Sequence, residues 1–386
     1  MKRFILITAV LLLLTGCAAE PVATESTSPP IPETTAAPEP TLETAVPEDT
    51  LPPDPVEMLM RSMTLEEWVG QLFLVGVDPT NVEQHIENYN LGGLLLFAHD
   101  FANETPGDSA VNKIARWQDS AKVPLLIAAD EEGGTVTRVS CFPYYRDTKF
   151  LSPRKLYAQG GLEQVLKTEE EKCLLLSTLG VNVNLAPVVD VTTDSQAFMY
   201  HRSLGEDADT TGEFAAGMVA LMNAYGIGNA LKHFPGYGNN VDTHTGIAVD
   251  SRSLEEFESK DLIPFQMGID AGCDAVLVSH TIVEAFDPEL PASLSPAVHR
   301  YLREEMGFEG VIMTDDLIMQ AITDRYGAGE AAVMAVLAGN DLLCCTAFEE
   351  QYQAVLAAVY DGRISFDIVR AAVRNVLEWK QQIGLI

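Results

Sequence analysis

From residue 72 onward the hydrophobic positions of this chain change period again and again. Short apolar runs occupy Leu72–Val77, Gly93–Ala98, Pro124–Ala129, Val181–Asp190, Asn229–His233, Ala275–His280, Gly310–Thr314 and Asp341–Thr346, and each reads as a strand. Between them lie stretches with apolar residues at helical spacing: Leu162–Leu179, Thr211–Tyr225, Leu254–Ala271, Pro296–Met306 and Ala328–Ala338. Several of these open on a Ser, Thr or Asp cap. Strands alternating with helices build a parallel sheet, because each helix returns the chain to the start of the next strand. Eight such pairs within residues 56–386 predict an α/β chain folded as a (β/α)8 TIM barrel, with an open doubly wound sheet of eight strands as the alternative. The last helix, about Phe366 to Gln382, leaves no room for a second domain.

Ahead of residue 56 the pattern is different. Lys2 and Arg3 precede an apolar run from Phe4 to Leu14, which is too short to span a bilayer and suits the core of an export signal. Leu14-Thr15-Gly16-Cys17 then resembles a bacterial lipobox, against the alternative of an ordinary small-residue cleavage site with a chance Cys. The resemblance implies that residues 1–16 are a signal peptide. It also implies that Cys17 is lipidated, becomes the mature N-terminus and anchors the chain to an extracytoplasmic membrane face. Residues 17–55 are mostly Pro, Thr, Ala and Glu, as in Pro29-Pro30-Ile31-Pro32-Glu33, and cannot bury enough surface to offset the entropy of ordering. A disordered, flexible tether is predicted there.

Composition sharpens this picture in two respects. Hydrophobic residues at 47% and charged residues at 21% are in globular proportion, so disorder is confined to the tether. The 24 Lys+Arg against 56 Asp+Glu give a formal charge of −32, which repels a phosphate backbone and excludes nucleic acid as a partner. Besides Cys17, Cys141, Cys173, Cys273, Cys344 and Cys345 have no metal-type spacing and read as buried free thiols, one disulfide among them remaining open in an exported protein.

Active residues of a barrel gather where its strands finish. The third predicted strand runs into Asp130 of Asp-Glu-Glu-Gly-Gly, the fourth ends at Asp190, the fifth at Lys232-His233, the sixth at Ser279-His280, and the seventh runs into Asp315-Asp316. So much charge at one face is costly unless it is paired or used. The competing reading is a network of ion pairs closing the barrel mouth. After the fifth strand, Phe234-Pro235-Gly236-Tyr237-Gly238 precludes a regular helix, so Asp242 and His244 are predicted on a loop at the mouth. A carboxylate partner orients an imidazole and raises its proton affinity into the range useful near neutral pH. On the seventh strand Val311, Met313 and Asp315 share one face and Ile312, Thr314 and Asp316 the other, so one aspartate of the pair points into the mouth. A carboxylate there, with a separate proton donor, is what a retaining glycosidase needs.

Together, Lys232-His233-Phe234-Pro235-Gly236 with Asp242-Thr243-His244, Asp130-Glu131-Glu132-Gly133-Gly134 with Arg138, and Thr314-Asp315-Asp316-Leu317 resemble glycoside hydrolase family 3, in particular its single-barrel β-N-acetylglucosaminidases. The resemblance covers residues 56 to 384. It implies Asp315 as the catalytic nucleophile, His244 as general acid/base and Asp242 as its dyad partner. It also implies Asp130, Arg138, Arg202, Lys232 and His233 as sugar-binding residues. The chain departs from the family pattern at Tyr237, Asn239-Asn240 and Thr243, and its segment before Asp242 is one residue shorter. No cofactor and no metal is implied, and the first strand lacks the His-x-His of a metal hydrolase. His99 and His280 are candidates to line the pocket; His85, His201 and His299 read as surface or structural. The implied activity is removal of terminal β-N-acetylglucosamine from cell-wall muropeptides or chitin-type oligosaccharides, with water or phosphate as acceptor. A family 3 enzyme of other sugar preference and an inactive sugar-binding lipoprotein are the competing readings.

Overall fold

Consecutive buried apolar residues with little side-chain polarity suit a strand covered on both faces, and this chain supplies eight of them to one parallel sheet. A computed structural model describes residues 54–76, 80–102, 105, 109–238 and 248–386. In chain order the strands are β1 Phe73–Gly76, β2 Gly93–Leu96, β3 Leu126–Ala129, β4 Val183–Asn184, β5 Gly228–Phe234, β6 Val249–Asp250, β7 Ala275–Val278, β8 Ile282–Val283, β9 Val311–Thr314 and β10 Leu343–Cys345. Their order in the large sheet is β10-β1-β2-β3-β4-β5-β7-β9. Backbone bonds from Leu342 N to Ile312 O (3.2 Å) and from Thr314 N to Leu342 O (3.1 Å) join β9 to the entry of β10, so the sheet closes into the predicted barrel rather than the open sheet.

Two details differ from the sequence pattern. The fourth strand was expected over Val181–Asp190, but its regular ladder is confined to Val183–Asn184, because Pro187 has no N–H to donate. The chain stays beside β5 through isolated contacts, such as Val189 N to Lys232 O at 2.9 Å. The helix expected over Leu162–Leu179 starts earlier, at Pro153, and breaks locally at Gly160 and Gly161. The other expected helices lie close to their predicted places, with π-helical turns at Phe257–Asp261 and Tyr301–Glu305. Outside the barrel, β6 and β8 form a short parallel pair.

The barrel interior is layered, and the layering positions the site. Leu95, Leu185, Leu277 and Cys344 come from alternate strand positions, and Leu74, Ala128, Ala230 and Met313 from the strands between them, all in one buried cluster. Two residues further along those latter strands stand Gly76, Asp130, Lys232 and Asp315. The polar residues thus continue the inward-facing positions of the core, above an apolar floor. Gly76 is small for a reason: a Cβ there would lie 2.6 Å from Thr346 Cγ2.

Among the described residues no helix is long and apolar enough to cross a membrane. Of the five described cysteines, all free, Cys173, Cys273, Cys344 and Cys345 are buried and Cys141 is exposed, which corrects its expected burial.

Toward the other end of the chain, Lys380 is 0% exposed, with Nζ donating to Gln71 Oε1 at 2.7 Å. Burial pulls its ammonium down to about 7. A lysine that titrates lower folded than unfolded makes folding hardest below its folded value, and that cost fades as pH rises toward the unfolded value of about 10.4. Lys380→Met should therefore gain on wild type by a few kcal/mol as pH falls from about 10 to 6. Paired denaturant titrations at the two pH values measure this; a difference independent of pH would show that Lys380 is not held against its charge.

Candidate active site

At the C-terminal ends of the strands lies a cavity of about 570 Å³, within the range of small-molecule sites. Asp130, Arg138, Arg202, Lys232, His233 and Asp315 all line it, so six of the residues predicted from sequence converge here. Asp242, His244 and Cys17 lie outside the described residues.

Convergence depends on the backbone of β5. Adjacent strand residues normally face opposite ways, yet the β5–β7 register shifts between Lys232 and Phe234. This bulge lets both Lys232 and His233 reach the cavity. Lys232 Nζ bridges two carboxylates, Asp130 Oδ1 at 2.8 Å and Glu132 Oε1 at 2.7 Å. Glu132 also takes both arms of Arg202, from Nε at 2.9 Å and Nη2 at 2.7 Å. Arg202 Nη2 lies 3.2 Å from His233 Nε2, and His233 Nδ1 lies 2.9 Å from Asp190 Oδ2. Because a guanidinium only donates, Nε2 is the acceptor and the Nδ1 proton faces Asp190. Asp190 Oδ1 in turn accepts from Tyr237 N at 2.7 Å, bracing the chain just beyond β5.

The charges in this chain of contacts balance, as buried charges must. Burial acts to raise Asp130 and Glu132, but the cations outweigh it: Lys232 and Arg138 hold Asp130 below the usual carboxylate range, and Arg202 and Lys232 hold Glu132 well below it. Burial would depress Lys232, yet Asp130 and Glu132 keep it above its usual value. Arg138 reaches Asp130 Oδ2 at 3.3 Å and sits 5.6 Å from the Phe97 ring centre. Its Nε is buried with no partner among the described residues, a donor available to a ligand. Glu131 steadies this arm from behind, accepting the backbone N–H groups of Arg138 and Val139, each at 2.7 Å.

Across β9, Val311 and Met313 lie in the barrel interior and Ile312 in the outer core, the alternation expected from sequence. Both aspartates border the cavity. Asp316 Oδ1 is tied to the backbone amides of Ile318 (3.1 Å) and Thr346 (3.3 Å), and burial raises its carboxyl. Asp315, continuing the inward positions, accepts one amide bond on Oδ1, from Asp316 N at 2.8 Å. Asp315 is thus the aspartate presented by the barrel interior.

The two candidate histidines do not line this cavity. His280 is fully buried, with Nε2 donating to Asp316 O at 3.0 Å, so it supports the Asp315-Asp316 turn from beneath. The His99 side chain is 62% exposed, stacks beside Phe97 and borders a neighbouring cavity. Glu132 and Phe97 were not singled out from sequence, and Tyr237 was noted only as a departure from the family pattern. Of the first two, Glu132 had a signal, its place inside the Asp130–Gly134 motif.

A carboxylate beside fixed donors and acceptors, above a closed apolar floor, suits a polyhydroxylated ligand. The comparisons with known proteins agree. Residues 64–379 match the family described as Glycosyl hydrolase family 3 N terminal domain. A beta-hexosaminidase of Stenotrophomonas maltophilia is 34% identical over 286 residues, covering 70% of this chain and 82% of that protein. One from Xylella fastidiosa is 33% identical, covering 80% of this chain and 93% of its own. A glycoside hydrolase family 3 beta-N-acetylglucosaminidase from Paenibacillus sp. superposes with a TM-score of 0.78 at 33% identity, covering 84% of this chain; the chain spans 63% of that longer protein. A beta-N-acetylhexosaminidase from Beutenbergia cavernae gives 0.74 at 28% identity, covering 83% of this chain and 99% of that one. With the barrel, the strand-end cavity and these likenesses in agreement, the chain belongs to glycoside hydrolase family 3 and is a glycoside hydrolase.

Proposed function

We propose that this hydrolase is a retaining, exo-acting β-N-acetylglucosaminidase that removes terminal β-N-acetylglucosamine from cell-wall muropeptides or chitin-type oligosaccharides. The observation that carries the reading is the convergence of Asp130, Arg138, Arg202, Lys232 and His233 with Asp315 around one cavity. The relatives named beta-hexosaminidase support the sugar class. A cavity floored by Leu95, Leu185, Leu277 and Cys344 suits the end of a chain rather than its middle.

In the first step Asp315 attacks the anomeric carbon as His244, held by Asp242, protonates the departing glycosidic oxygen. The leaving alcohol departs and a glycosyl ester remains. In the second step His244 takes a proton from water, whose oxygen displaces Asp315, and configuration is retained overall. Asp130, Lys232 and Arg138 meanwhile fix the sugar hydroxyls. The test is release of 4-nitrophenol from its β-N-acetylglucosaminide and β-glucoside, with product configuration followed by NMR. Turnover of the first with a β-configured initial product is expected; preference for the glucoside, or an α-configured initial product, overturns the reading.

Acylation of Cys17 after removal of residues 1–16 places this activity at an extracytoplasmic membrane face. Wild type expressed in bacteria should fractionate with membranes and Cys17→Ser with the soluble fraction. Wild type that is soluble and carries an unmodified N-terminal peptide by mass spectrometry removes the anchor.

A further inference from the structure

The segment carrying Asp242 and His244 leaves the described chain after Gly238 and rejoins it at Ala248. One guanidinium holds both ends. Arg252 reaches Gly236 O with Nη2 at 3.3 Å on the outgoing side. On the returning side it takes the Asp250 carboxylate from Nε (3.0 Å) and Nη2 (2.8 Å). A third arm, Nη1, meets the buried Asp261 at 2.6 Å, and the guanidinium lies 4.2 Å from the Phe257 ring centre. Asp250 belongs to β6, whose pairing with β8 ties the returning end to the chain beyond β7. The outgoing end is shaped to this arginine: Gly238 has φ +55°, and a Cβ there would lie 2.6 Å from Arg252 Nη2. Nothing in this cluster borders the sugar cavity except through Tyr237, so substrate binding does not explain it.

We propose that Arg252 is a positioning residue for proton transfer, fixing the two ends between which His244 is carried. The inference rests on the reading of His244 as general acid. A planar fork with several donors can hold a carbonyl and two buried carboxylates at once, which a single ammonium cannot do with the same geometry. Loss of that clamp degrades protonation of the leaving group and spares attack by Asp315.

The experiment is a leaving-group series of aryl β-N-acetylglucosaminides, from 2,4-dinitrophenyl through 4-nitrophenyl to phenyl, read as kcat/KM so that only the first chemical step counts. Arg252→Ala should lose about 10²-fold on the phenyl glycoside, where protonation matters most, and only a few-fold on the dinitrophenyl one. Its inhibition constant for N-acetylglucosamine should match wild type. Arg252→Lys, which keeps Asp250 and Asp261 paired with a cation, carries the same test if the Ala variant does not fold, with a smaller slope expected. An equal loss across the series, or none, overturns the proposal. His244→Ala run in parallel separates the two readings. If it shows the leaving-group dependence and neither Arg252 variant does, Arg252 alone is misassigned; if His244→Ala shows none, the acid itself is misassigned and the clamp falls with it.

Discussion

Asp315→Ala should lower kcat on an aryl N-acetylglucosaminide by on the order of 10⁴-fold or more, as loss of a covalent nucleophile does elsewhere. The position explains the size of the effect. Asp315 continues the inward-facing series of Val311 and Met313, and its neighbour Asp316 is occupied by the amides of Ile318 and Thr346. Among the described residues, the inward carboxylates Asp130 and Glu132 are already bound by Lys232, Arg138 and Arg202. Azide added to the Asp315→Ala protein should enter the vacated side and give the α-glycosyl azide from an activated substrate, with the aryl alcohol leaving from the opposite face. Full activity of the variant, or rescue that yields only β-product, would assign the nucleophile elsewhere.

Glu132→Ala should cost about 3–5 kcal/mol of folding stability, the range for removing one partner of a buried ion pair. The side chain is 2% exposed and is the shared acceptor of Arg202 and Lys232, so its loss strands the Arg202 fork against His233. The pH dependence follows from the carboxyl being held well below its ordinary value. Such a group contributes its full stability above its unfolded pKa of about 4.3 and loses it as pH falls toward the folded value. The stability gap between wild type and Glu132→Gln should therefore be constant from about pH 5 to 8 and narrow below about pH 4. A higher KM for N-acetylglucosaminides should accompany it, because Arg202 and Lys232 lose their orientation. Unfolding followed at several pH values measures the first effect and steady-state kinetics the second. A gap under about 1 kcal/mol at neutral pH would mean that the network tolerates an uncompensated cation.

The eight barrel strands and four residues of the cavity, Asp130, Lys232, His233 and Asp315, were legible in the amino-acid sequence from local rules, whereas Arg138 and Arg202 were implied only by the family resemblance. Apolar runs separated by helical spacing dictate a parallel sheet, and inward positions two apart carry Asp130, Lys232 and Asp315 to one end of it. Strand ends were less legible where a single residue overrides the pattern. Pro187 cuts β4 short although the apolar run continues to Val189. The bulge that turns both Lys232 and His233 toward the cavity has no local signature either, since it is a mismatch between β5 and β7.

What only the tertiary structure decided is which charged groups meet. Glu132 and Arg202 are 70 residues apart, and Asp190 and His233 are 43 apart, so no spacing rule pairs them. The same holds for His280, a strand-end histidine that the fold buries under Asp316, and for Arg252, whose partners stand on both sides of the Asp242–His244 segment. Sequence determines the period and the chemistry available at each position. Desolvation and the closing of the barrel decide which of those groups must find one another, because charge taken out of water has to be paired where the chain folds.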